Sequence, residues 1–131
     1  MNTEIGGVAI DADGRFLMTV SVSFRVFMFN PDLTPAGSFG VKGSGPGKFG
    51  VINAITTDPD GNIYVADSGR SMVLMFDKST KFVTEFGGYS DAPQGLIRPS
   101  ELAFTPTGHL LVEQRQSRGI SVFDIKTTRV N

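Results

Sequence analysis

Four aspartates crowd the stretch DPDGNIYVADSGRSMVLMFD, from Asp58 to Asp77, and another pair, Asp11 and Asp13, sits in DADG further upstream. Carboxylates at this density suggest calcium ligands. An EF-hand loop, however, needs oxygen donors at positions 1, 3 and 5, glycine at 6 and a bidentate Glu at 12, and neither stretch supplies that series. A hairpin turn accounts for the same residues: the first Asp accepts the turn's amide hydrogen bond, Pro59 presets φ, and Gly61 takes the left-handed conformation. Other chemistry is thinner. The 131 residues contain no Cys and a single His, which excludes disulfides, thiolate metal sites and sulfur redox chemistry. His109 alone cannot build a multi-histidine metal centre, and no Ser-His-Asp or Cys-His set can be assembled. GSGPGKFG lacks the Gly-Lys-Ser/Thr ending and following helix of a phosphate loop. No catalytic residue, metal ligand or cofactor is expected.

The elements that carry these residues follow from a repeat. Gly14, Gly61 and Gly108 stand 47 residues apart, as do Phe29, Phe76 and Phe123, and Val26, Val73 and Ile120, while Phe39-Gly40 recurs as Phe86-Gly87. The second unit divides into four strand-sized segments, Ala54 to Thr57, Ile63 to Asp67, Met72 to Phe76 and Phe82 to Phe86, each bounded by turn residues. Four short strands in a period in the forties point to propeller blades. The composition agrees, with 16 Gly, 7 Pro and 11 Phe and none of the Ala-, Leu- and Glu-rich runs of helices. The blades are expected at about 5–40, 52–87 and 99–131. Glycine-rich connectors, GVKGSGPGKFG and GGYSDAPQGLIRP, join them, and Phe49 and Leu96 share one repeat position from which each can anchor its connector in the core.

Within this frame the second unit resembles the NHL repeat. The matching residues are Asp58, Asp60-Gly61-Asn62, Ile63-Tyr64-Val65-Ala66-Asp67, Phe76-Asp77 and Phe86-Gly87. The first unit keeps Asp11-Ala12-Asp13-Gly14 and Arg25 to Phe29 but has Val20 in place of Asp67; the third has Thr107-Gly108 in place of Asp-Gly and Gln114 in place of Asp67. The Arg that opens the third strand in the family is kept as Arg25, is Met72 in the second unit and Gly119 in the third, with Arg118 one place early. The resemblance implies an all-β, NHL-type propeller of about three four-stranded antiparallel blades, half of a ring of about six. An open arc would expose Phe16, Met18, Phe27 and Phe29 on the first blade and Leu110, Val112 and Val122 on the third. The chain is then either part of a longer protein or one of two copies that close a ring, three blades plus three.

In propellers the loop between the second and third strands shares a face with the connectors, and ligands bind there at the channel mouth. That places Asp67 and Arg70 in the candidate site, with Asn53 and Glu101 near the starts of innermost strands and Arg98, Arg115 and Arg118 beside them. Asp67 has two structural alternatives, capping its own turn or pairing with Arg25 of the preceding blade. His109 is expected at the opposite face, exposed in a hairpin turn. The reading is a non-catalytic binding or scaffolding module for a protein, peptide or small ligand. Its alternatives are part of a six-bladed metal-dependent lyase or hydrolase and an RNA-binding propeller. A net charge of -1 and the absence of Trp give little footprint for nucleic acid. The N-terminus shows no signal peptide, and no stretch approaches the roughly 18 apolar residues of a membrane span. The compartment stays open, although bacterial relatives of this kind are often exported.

Overall fold

The computed structural model describes residues 5–88, 95–114 and 119–125. Three antiparallel sheets follow one another along the chain. The first blade is β1 (Ile5–Ile10), β2 (Phe16–Val20), β3 (Arg25–Phe29) and β4 (Pro35–Phe39); the second is β5 (Ile52–Thr57), β6 (Ile63–Asp67), β7 (Met72–Phe76) and β8 (Phe82–Gly87). The third holds β9 (Pro99–Phe104), β10 (His109–Gln114) and β11 (Gly119–Asp124) among the described residues. A fourth strand for this blade, expected near Thr128 to Asn131, lies outside them. Each sheet is an up-and-down meander, because every connection within a blade is a short hairpin and consecutive strands therefore pair antiparallel.

Strand alternation and the 47-residue period together decide which side chains meet. Leu17, Val26, Met28 and Phe39 of the first blade face Ile63, Val65, Leu74 and Phe76 of the second in one buried cluster. One period on, Tyr64, Val73, Met75 and Phe86 face Leu110, Val112 and Phe123 in another. The expectation that Leu110 and Val112 lie on an open face is therefore corrected. Both are fully buried against the second blade, because residues on alternate positions of a strand point to opposite sides of the sheet. The third blade's open side carries their neighbours Leu111, Ile120 and Val122 instead. On the first blade the open side is as expected, with Phe16, Met18, Phe27 and Phe29 only half-buried.

The connectors are pinned as the repeat suggests. Phe49 and Leu96 are fully buried, and each donates its N–H to the equivalent carbonyl, Phe49 to Val41 and Leu96 to Gly88, both at 2.8 Å. Phe49 also joins Phe39 and Phe76 in an aromatic cluster, with ring centroids 6.3 and 5.6 Å away. The glycine of each Phe-Gly pair is what admits the anchor. Gly87 has φ 111°, and a Cβ there would stand 2.7 Å from Leu96 and 3.0 Å from the Ser71 carbonyl.

Candidate functional site

The turn aspartates form the ends of the inner hairpins. Asp58 Oδ1 accepts the N–H groups of Asp60 (2.9 Å) and Asn62 (3.0 Å), while Oδ2 accepts Asn62 Nδ2 (2.9 Å) and the Tyr64 hydroxyl (2.8 Å). Burial first, and then the bond to Asp58, push the Tyr64 phenol well above its ordinary pKa. In the first blade Asp11 accepts from the Asp13 and Arg15 N–H groups and from Arg15 Nε. Burial raises the Asp11 pKa, but the hydrogen bonds and charge of Arg15 outweigh it and hold the carboxyl below its usual value. In the third blade Thr105 Oγ1 takes over by accepting from the His109 N–H (3.0 Å). His109 Nδ1 lies 3.0 Å from Thr107 Oγ1, and the residue is half-buried at the start of β10 rather than exposed.

At the opposite end of the blades the same logic holds the connectors. Asp67 is fully buried; its Oδ2 accepts the Gly50 N–H at 2.6 Å and its Oδ1 accepts those of Val51 (2.9 Å) and Arg70 (3.0 Å). One carboxylate thus caps its own turn and fastens the incoming connector to it. Gln114, the repeat equivalent, does the second job in the third blade by accepting the Ile97 N–H at 2.7 Å. Arg70 forks onto Glu85, Nη1 to Oε1 at 2.9 Å and Nη2 to Oε2 at 2.6 Å, and donates to the Lys48 carbonyl, while Glu85 accepts the Gly47 N–H. The bond from Arg70 lowers the Glu85 pKa, outweighing the opposing effect of burial, with further help from Gly47. Arg25 does not pair with Asp67. Its guanidinium binds Ser38 Oγ and the Gly40 carbonyl, and Ser38 stands at the repeat position of Glu85.

Of the remaining site candidates, Arg98 is exposed, with a left-handed φ of 46° and its N–H 3.4 Å from Ser71 Oγ. With Val51, Ser68 and Gly69 it lines an open hollow of about 240 Å³ between the second and third blades. It forms no ion pair among the described residues. Asn53 is half-buried near the start of β5, and its amide oxygen lacks a hydrogen-bond partner among the described residues. Glu101 is elsewhere: it pairs with Glu113 across β9 and β10 on the third blade's open side. Arg115, Arg118 and residues 89–94 of the second connector lie outside the described residues. The structure thus groups Asp67, Arg70 and Arg98 around one loop cluster and separates Glu101 from them. Sequence reasoning missed Glu85 and Gln114 as partners; the Ser38-to-Glu85 spacing of 47 was the available signal.

Comparison with known proteins agrees with this geometry. No family model matches the chain. It is 30% identical over 114 residues, 86% of its length, to human NHL repeat-containing protein 3, of which it covers 30%. It is 34% identical over 104 residues, 77% of its length, to the mouse E3 ubiquitin-protein ligase NHLRC1, of which it covers 25%. The chain is built of NHL repeats. The RRP9 WD40 repeats share the fold, with a TM-score of 0.73 at 14% identity, over 95% of this chain and 36% of that one. The NHL segment therefore spans only a quarter to about a third of the length of these proteins. Among its described residues no group of three or more His, Cys, Asp or Glu stands close enough to hold a metal ion, and no helix is long and apolar enough to cross a membrane.

Proposed function

We propose that this NHL segment is a non-catalytic binding and scaffolding module whose loop face holds an acidic peptide or protein segment at Arg98. The observation that carries the reading is a division of labour on that face. Asp67, Arg70 and Glu85 are consumed by hydrogen bonds that fix the connectors, whereas Arg98 stands exposed at the rim of a hollow with no acid partner among the described residues. Its left-handed backbone is a conformation that a non-glycine residue adopts at a cost of about 1–3 kcal/mol, and strain of this kind often marks functional positions. A guanidinium binds carboxylates through a planar fork, and the neighbouring Ser68 hydroxyl and Val51 side chain supply polar and apolar contacts around it. The test is a nuclear magnetic resonance titration of the chain with a glutamate-rich peptide. Shifts confined to Val51, Ser68, Gly69 and Arg98, and lost in Arg98→Ala, are expected. Shifts that map elsewhere, or none at millimolar peptide, would contradict the proposal.

A further inference from the structure

The third blade's open side differs from the faces it repeats. At both junctions the innermost strand of the following blade covers the two inner strands of the preceding one: β5 lies on β1 and β2, and β9 on β5 and β6. The covered positions hold small side chains. Gly7 is so close to β5 that a Cβ would stand 2.9 Å from the Ala54 Cα, and one period on, the paired Ala54 and Ala66 are buried. A further period gives Glu101 and Glu113, paired across β9 and β10 and both exposed. Beside them Leu111 is half-buried, and Ile120 and Val122 are 62% and 60% exposed. Like charges directly opposite one another on a sheet are destabilising. Here they stand where small uncharged residues, Gly7 and Thr19 in the first blade and Ala54 and Ala66 in the second, otherwise pack closely.

A second copy would bring its own β1 against this side if two chains closed head to tail. On its open side that strand presents Val8 and Ile10, 56% and 60% exposed, with no side chain able to hydrogen-bond a carboxylate. Arg25, on the same open side of the first blade, is engaged on β4 by Ser38 and Gly40. Two carboxylates would be buried without a cation among the described residues, which costs several kcal/mol each. We infer that the third blade's open side is instead the docking surface for a partner β-strand bearing a Lys or Arg. The basic side chain meets Glu101 and Glu113, and apolar neighbours cover Leu111, Ile120 and Val122. The same pair of carboxylates excludes self-closure of the ring.

Sedimentation equilibrium of the 131-residue chain and two variants tests this. The wild type is expected to sediment as one chain at micromolar concentration. Val8→Lys, which supplies the missing cation on the strand a second copy would offer, should tighten head-to-tail association about tenfold or more, and about 0.5 M salt should reverse the gain. Glu101→Ala/Glu113→Ala, which restores the residue types of Ala54 and Ala66, should also associate, without the salt dependence. A wild-type dimer that neither variant alters, or a Val8→Lys chain that associates no better than the wild type, overturns the inference.

Discussion

Asp67 shows how a residue with the look of a ligand group is absorbed by the fold. Three backbone N–H groups converge on its buried carboxylate, and a buried donor left unmade costs about 1–3 kcal/mol. Asp67→Ala is therefore expected to lower stability by about 3 kcal/mol or more, read as an earlier urea midpoint with an unchanged slope. Glu85 makes a pH-dependent contribution. Arg70 holds its folded pKa below the ordinary glutamate value of about 4.3, so the stabilisation is fully present above that value and is lost as pH falls through the folded one. Glu85→Gln should flatten the fall in stability measured below about pH 4.5, without abolishing it, because Asp11 acts in the same sense. The turn roles of Asp11 and Asp58 were legible in the sequence, since Asp-x-x-Gly spacing is local chemistry. The Arg70–Glu85 fork was not: it spans fifteen residues and depends on how a loop folds back over the fourth strand.

Strands and connectors were more legible than side-chain partners. The second and third strands of the middle blade fall where alternation and turn residues put them, at Ile63–Asp67 and Met72–Phe76. The first begins at Ile52 instead of Ala54, because an irregularity between Ile52 and Ala54 interrupts the alternation that would have revealed it. The connector anchors make a prediction with an internal control. Gly87 and Gly88 both have positive φ, yet a Cβ meets Leu96 and the Ser71 carbonyl at Gly87 and nothing within 4 Å at Gly88. Gly88→Ala should cost about 1 kcal/mol of backbone strain, and Gly87→Ala about 2 kcal/mol more as Leu96 is displaced, measured by thermal or urea unfolding. At the inner hairpin, Tyr64→Phe should cost about 1–2 kcal/mol by removing one of the donors that meet the Asp58 carboxylate.

For the molecule as a whole, the repeat gives each blade the same two faces, and the side chains at equivalent positions decide what each face accepts. Two junctions are filled by apolar clusters of the expected period; the outer sides differ, one presenting Phe16, Phe27 and Phe29 and the other Glu101 and Glu113 among apolar residues. The sequence disclosed the period but not this asymmetry, which appears only when alternation is followed across three blades. The loop face shows a parallel division, between charges that hold connectors and a guanidinium left exposed. The most direct test is the binding isotherm of a glutamate-rich peptide, measured calorimetrically on folded Arg98→Ala and Asp67→Asn. Arg98→Ala should lose binding about tenfold or more at near-wild-type stability, while Asp67→Asn should lose stability and bind as the wild type does. Unchanged affinity in Arg98→Ala, or affinity lost in folded Asp67→Asn, would contradict the division between fold and face.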